Sequence, residues 1–376
     1  MAGQLIKRGD NVWLIRVFKG RNALGKREYK NKTVHGPKKL ADKVLRDMLT
    51  KRDAGKLTDD PPQSFSDVID EWLRIYAKKE VSERTYYNYV SMLDVHIRPG
   101  LKTKFIEDID KKDIQNLYDG ISAKGLSARS LKHIHTLLNQ IMEWAIEQSY
   151  IEGNPCRKTA REKVRKKEVP HFNQEETRRF LLAAKEDSFY ALFHFAIVTG
   201  CRPEEYLAIS WRDINWESKL VFIKRALVKK RGGGFEMMQT KTASSLRNIP
   251  LTADLMEDLK AHRHRQLEHR MKKGAEYIDN DLVFATRDGT PIEMSNLSRR
   301  HFVPVRDRAG VPKINLYALR HTAASLLLEQ GTHPKVVAER LGHSSTRLTL
   351  DTYSHVVPGL QGDATEQLGE LLKKRA

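Results

Sequence analysis

The hydrophobic pattern of this chain changes period along its length. Residues 12–18 (VWLIRVF) are β-branched or aromatic almost throughout, and residues 27–34 alternate basic with apolar or aromatic positions. Lys19-Gly20-Arg21-Asn22 and Gly25-Lys26 punctuate the two runs, which predicts a small β-sheet. After Pro37 the period becomes helical, with Leu40, Val44, Leu45 and Met48 on one side. Helical spacing then governs residues 63–155. A first stripe is Phe65, Val68, Ile69, Trp72, Leu73 and Tyr76, and a second helix, capped by Ser82, carries Tyr86, Tyr89, Val90 and Leu93. A third is marked by Ile109, Ile114, Leu117 and Tyr118, and a long fourth by Leu131, Ile134, Leu137, Leu138, Ile141, Met142, Trp144 and Ala145. These stripes predict core rather than a cofactor site.

The last and longest part of the pattern is mixed. A helix capped near Asn173 opens it, and residues 191–198 form an apolar helix ending at Thr199-Gly200. Residues 220–223, 235–239 and 246–250 predict three short strands, the last two joined by a polar hairpin with Lys241 at its tip. A helix begins near residue 314 and ends at Gly331, with Leu319, Ala323, Leu326 and Leu327 toward the core. A short one over 334–341 closes on Gly342. The expected fold is therefore multidomain. A small β-sheet plus helix occupies 1–62, an all-α domain 63–155, a basic linker 156–168, and a mixed α+β, mainly helical domain 169–376. A tail helix is expected from Leu368, Leu371 and Leu372, packing on its own domain or donated to a neighbouring subunit.

Charge narrows the function. Lys+Arg number 67 against 48 Asp+Glu, a net +19, which suits a polyanionic partner, most simply nucleic acid. The candidate contacts are Arg16, Lys19, Arg27 and Lys30 on the strands, and Lys124, Arg129 and Lys132, with His133 and His135, on the helical domain. Arg161, Lys163, Arg165 and Lys166 follow in the connector. Each taken alone would be an ordinary solvated surface residue. No run approaches the roughly 18 apolar residues of a membrane span. The start lacks the apolar stretch of a secretory signal. Cys156 and Cys201, the two cysteines, fall in different regions, so neither a disulfide framework nor a zinc cluster is expected. His321, His333, His343 and His355 lack cysteine or carboxylate companions at ligand spacing, so no metal is expected there.

Four blocks carry the chemistry: TGCRPEEYLAISWRDI from Thr199, TKTASSLRNIPL from Thr240, YALRHTAASLLLEQG from Tyr317 and LGHSSTRLTLDTYSHV from Leu341. In order and approximate spacing they resemble the signature blocks of tyrosine recombinases. The helical domain resembles that family's SAM-like core-binding domain. The first region resembles the three-stranded arm-binding domain of phage and conjugative-transposon integrases. The resemblance implies a site-specific DNA recombinase, an integrase that cuts and rejoins DNA through a 3′-phosphotyrosyl intermediate and a Holliday junction.

It also implies roles. Tyr353 would attack the scissile phosphate, Arg202 and Arg320 would clamp its non-bridging oxygens, and Lys241 would protonate the leaving 5′-oxygen. His343 would hydrogen-bond the phosphate and accept the tyrosine proton. Glu205 would orient a catalytic cation from behind. One position departs from the family: the histidine usual three residues before the second arginine is Tyr317 here. A phenol is no base near neutral pH, so Tyr317 is expected to position or stabilise. The implied partners are double-stranded DNA attachment sites and three further copies in a homotetramer. An excisionase and a DNA-bending protein would assist. No cofactor and no membrane are implied, and the implied setting is a bacterial cytoplasm, at the nucleoid. The same chemistry would serve a chromosome-dimer resolvase or a type IB-like topoisomerase. A non-catalytic DNA-binding regulator is the alternative of another class.

Overall fold

The computed structural model describes residues 3–21, 25–53, 63–161, 168–239 and 245–353, with Thr365, Glu366, Gly369, Glu370 and Leu372 beyond them. Two compact units divide the chain, Met1–Arg165 and Lys166–Ala376.

In the first unit, β1 (Gly3–Gly9), β2 (Val12–Arg21) and β3 (Arg27–His35) form an antiparallel sheet in that order. β1 has only Leu5 and Ile6 as apolar residues, which is why periodicity alone finds two strands and the resemblance three. Helix α1 (Lys38–Asp53) covers one face, and Ile15, Val17, Val34, Ala41 and Met48 are buried between them.

The helical part of this unit is built on side-chain caps. Ser64 starts α2 (Phe65–Trp72), Ser82 starts α3 (Glu83–Met92), Asp110 starts α4 (Lys111–Ala123) in a capping box with Asp113, and Ser127 starts α5 (Ala128–Glu147). Every apolar position expected on α5 is buried. Tyr76 is exposed rather than part of the first stripe, because the chain passes through a π turn at Leu73–Ala77 and the spacing slips. His135, expected on the solvated side, lies half-buried with Nδ1 2.7 Å from the Tyr118 hydroxyl. Burial pulls its pKa down to about 4. The Asn154–Pro155 stop does not end the packing either. Asn154 caps a 3₁₀ turn, Pro155–Lys158, whose Cys156 is fully buried in the helical core.

The second unit opens with α6 (Gln174–Ala184), held by a reciprocal Asn173–Glu176 capping box. Helix α7 (Tyr190–Thr199) is buried nearly all round, and Gly200 at φ +66° ends it. A Cβ there would sit 2.7 Å from Leu341 Cδ2, so glycine serves both the left-handed turn and the close approach. After α8 (Pro203–Tyr206) come five strands where three were expected. β4 (Ile214–Asn215), β5 (Leu220–Ile223) and β8 (Arg247–Pro250) form one sheet, and β6 (Arg225–Lys229) pairs with β7 (Phe235–Gln239) in a hairpin. The charged ends of β6 mask its short apolar stretch. Helix α9 (Ala253–Lys273) follows, and its His262 is buried with Nε2 2.8 Å from the Val283 carbonyl.

The last three helices of the continuously described chain carry the third and fourth blocks. α10 (Ala318–Glu329) starts four residues later than expected and buries Leu319, Ala323 and Leu328, leaving Leu326 and Leu327 only half-buried. α11 (Pro334–Leu341) closes on Gly342 at φ +67°, and α12 (Thr346–Tyr353) ends the continuously described chain.

Candidate active site

Gly200 stops α7, and Pro203 occupies the first turn of α8, where its missing N–H is harmless. Arg202 is held at the junction between them. Glu205, 3% exposed, turns back onto it: the Arg202 backbone N–H donates to Oε2 and its guanidinium Nη1 to Oε1, both at 2.9 Å. From β8, Arg247 Nη2 donates to Glu205 Oε2 at 2.7 Å, and its Nε donates to the Arg340 carbonyl at 2.7 Å. Burial alone would raise the Glu205 pKa. Hydrogen bonds and charge from Arg247 and Arg202 outweigh it and hold the carboxyl below its usual range. Glu205 thus stays ionised and braces two cations.

Arg320, on α10, is 2% exposed. Its Nη1 donates to the Gly200 carbonyl at 2.9 Å, and its buried Nη2 has no hydrogen-bond partner among the described residues. Burial first, and then the charge of Arg202, bring its pKa down to about 10. Three guanidinium groups (Arg202, Arg247, Arg320) face one carboxylate (Glu205), leaving two positive charges in excess. The cluster is a seat for an anion.

Tyr353 stands at the end of α12, 2% exposed, with its ring packed among Ala324, Leu328, Val337 and Leu341. Its hydroxyl lies 2.5 Å from His321 Nδ1. Burial pushes the phenol pKa up to about 12, partly opposed by Arg320, so the arginine charge reaches the phenol. His343 follows the Gly342 turn, with Nδ1 2.8 Å from the Thr349 hydroxyl. Its pKa is lowered to about 4 by burial and then by Arg320 and Arg202. Tyr317, 39% exposed, precedes α10 and sets its ring 5.5 Å from that of His321. Arg202, Arg320, His343, Tyr317 and Tyr353 are therefore gathered around one point, with Glu205 behind them. Lys241 lies outside the described residues.

Two residues of this site were not singled out from the sequence. His321, considered in the sequence only as a metal ligand and set aside as such, is next to Arg320, and one helical step turns a side chain by roughly 100°. Both nevertheless reach the site, because it wraps around the start of α10. Arg247 had a usable signal: it precedes the buried Ile249 by two residues on β8 and so shares its inward face. A buried arginine there needs an acid.

The basic candidates of the first unit are dispersed. Arg16 lies on the sheet face away from α1, with its guanidinium 4.1 Å over the Tyr29 ring. Lys30 pairs with Val17 and so belongs to the α1 side. Lys19 sits at the irregularity between Phe18 and Gly20, and Arg27 is exposed opposite Arg21. Lys124 follows α4, and Arg129 and Lys132 are exposed one turn apart on α5. Arg161 is exposed, while Lys163, Arg165 and Lys166 lie outside the described residues, as do His355 and most of the expected tail helix.

Comparison with known proteins gives concordant results. Residues 163–358 match the Phage integrase family, and residues 64–122 match its N-terminal SAM-like domain. The chain is 30% identical to a protein named "Tyrosine recombinase XerC-like" from Caldanaerobacter subterraneus subsp. tengcongensis, over 97% of this chain and 98% of that one. It is 27% identical to the ICEBs1 integrase of Bacillus subtilis, over 76% and 78%. Among solved structures, the Tn1549 transposon integrase in complex with circular intermediate DNA superposes with a TM-score of 0.69, at 19% identity, covering 82% of this chain and 100% of that chain. A lambda integrase tetramer bound to a Holliday junction gives 0.56 at 19% identity, covering 92% and 94%. At those identities the likeness is one of fold.

Proposed function

Because the chain belongs to the phage integrase family, it is a tyrosine-type site-specific DNA recombinase, and we propose that Tyr353, Arg202, Arg320, His343, Tyr317 and Lys241 form its catalytic centre. Its reaction is the cutting and rejoining of DNA that integrates and excises a mobile element. The observation carrying the assignment is the buried Arg320 guanidinium, lowered by Arg202 and with Nη2 unpartnered. A buried cation that only shares a counterion is costly, and one held beside a second cation is a preorganised site for the anion that arrives with substrate.

In this reading Tyr353 attacks the scissile phosphorus, and its oxygen replaces the 5′-oxygen to leave a 3′-phosphotyrosine. The bond energy is kept in that ester, so a partner strand's 5′-hydroxyl reseals it without ATP. Arg202 and Arg320 take the non-bridging oxygens, whose charge grows in the pentavalent transition state. With Thr349 donating to Nδ1, His343 keeps a hydrogen on Nε2 for a phosphate oxygen. Tyr317 adds a phenolic donor at the open side, and Lys241 supplies the leaving-group proton. Glu205 and Arg247 fix Arg202 from behind.

The substrate is duplex DNA at attachment sites, worked on by a homotetramer, with an excisionase and a DNA-bending protein as accessory partners. Arg16, Lys19, Arg27, Lys30, Lys124, Arg129, Lys132, Arg161, Lys163, Arg165 and Lys166 contribute phosphate contacts. Residues 1–62, 63–155 and 169–376 act as arm-binding, core-binding and catalytic domains, joined by the basic linker at 156–168. The tail from Gly359 packs in cis or passes to a neighbour. No helix of the described residues is long and apolar enough to cross a membrane, and the proposed setting is the bacterial cytoplasm, at the nucleoid.

A plasmid carrying two attachment sequences from the DNA flanking the element tests the task. The expected product is a deleted or inverted plasmid. Relaxed topoisomers alone would place the chain with type IB-like topoisomerases, and no DNA change at all with the non-catalytic regulators.

A further inference from the structure

The hydrogen bond made by the Tyr353 hydroxyl goes to His321 Nδ1, while His343 Nδ1 is engaged with Thr349. We propose that His321 is the catalytic base of this site, the group that takes the proton from Tyr353 as the phenol attacks the phosphate. The proposal rests on the active-site reading above and adds to it the residue that touches the reacting oxygen.

A hydroxyl and an imidazole nitrogen can each donate or accept, and proton transfer uses the arrangement in which the phenol donates to Nδ1 and the neutral imidazole carries its hydrogen on Nε2. Burial, then the charge of Arg320 and that of His171, hold the His321 pKa down to about 4, which keeps the ring neutral. Titratable and charged groups face it from several elements: Arg320 and Tyr317 at the start of α10, His171 ahead of α6, Tyr353 from α12, and His343 after α11. Among the described residues that set includes no carboxylate. Without DNA, then, no carboxylate among the described residues stabilises an imidazolium, and Tyr353 keeps its proton. Tyr317 cannot substitute, being itself a phenol.

A phosphodiester seated on Arg202 and Arg320 brings the missing negative charge. It offsets the repulsion Arg320 exerts on a protonated His321, so the imidazole gains basicity as the substrate arrives. In the attack the Tyr353 O–H bond breaks while an N–H bond forms at Nδ1. The phenolic oxygen bonds to phosphorus, and the bond from phosphorus to the 5′-oxygen breaks, that oxygen taking a proton from Lys241. Resealing reverses each transfer, with His321 returning its proton to Tyr353. The nucleophile is thereby quiet until phosphate is in place.

His321→Asn separates acceptance of a hydrogen bond from acceptance of a proton, since the amide oxygen can still receive the phenol but is not basic. With a nicked suicide substrate, DNA binding should be unchanged and covalent joining at neutral pH slowed by at least about 10²-fold. The residual rate should climb with hydroxide concentration, where the wild type is level. Added imidazole should restore joining by His321→Ala. A wild-type rate in His321→Asn overturns the proposal. So does a slowed enzyme whose pH profile is unaltered, with no imidazole rescue of His321→Ala, since that is the signature of packing alone. Adduct formation by Tyr353→Phe on the same substrate would be a different failure, that of the active-site reading itself.

Discussion

The Tyr353→Phe protein is expected to bind DNA as the wild type does and to form no covalent adduct with it. The substitution removes one oxygen and leaves the ring, which packs on Ala324, Leu328, Val337 and Leu341. It releases His321 from its hydrogen bond but unpairs no buried charge, so the cost in stability is that of a single hydrogen bond, about 1 kcal/mol. The loss of joining is total because no neighbour among the described residues can take over: Tyr317 has a phenol but stands 39% exposed at the start of α10, not at the end of α12. Gel separation of adduct from free DNA, alongside a binding assay on the same preparation, checks both halves.

Arg320→Met should separate stability from activity. Burial and Arg202 bring the pKa of Arg320 down to about 10, and this penalty on the charged form is of order 3 kcal/mol. The sign is that of a base with a lowered folded-state pKa. The destabilisation is fully present below about pH 10 and is relieved only as pH rises toward the ordinary arginine value. Methionine fills similar volume with no charge, at the expense of the bond to the Gly200 carbonyl. The variant is therefore expected to melt at the same temperature as the wild type or higher. Its rate of covalent joining should nonetheless fall by about 10³-fold, the scale of losing one preorganised donor to a developing anion. DNA should raise the wild-type melting temperature more than that of the variant. A destabilised Arg320→Met with near-normal joining would mean that the guanidinium is a structural strut.

How far the sequence spoke for itself depended on whether each signal was local. The capping serine at 82, the cap at Asn173, the apolar face of α5 and the Gly200 and Gly342 stops are all readable because the residue and its cause lie within one turn. The four blocks were readable together, although any one of their residues alone would pass for surface. What escaped depended on contacts between distant segments. Cys156 is buried only because the turn after Asn154 folds back on the helices, His262 because Val283 offers a carbonyl, and Arg247 because Glu205 lies 42 residues before it. The pairing of His321 with Tyr353 spans 32 residues and joins two blocks that the sequence shows only as neighbours in order.

The central claim is a bond between one oxygen and one phosphate. Digesting the trapped complex with protease and sequencing the DNA-linked peptide by mass spectrometry locates that bond. The predicted result is a phosphoester on Tyr353, carried at the 3′ end of the cleaved strand with a free 5′-hydroxyl opposite. An adduct mapped to any other side chain, or to a 5′ phosphate, would contradict it.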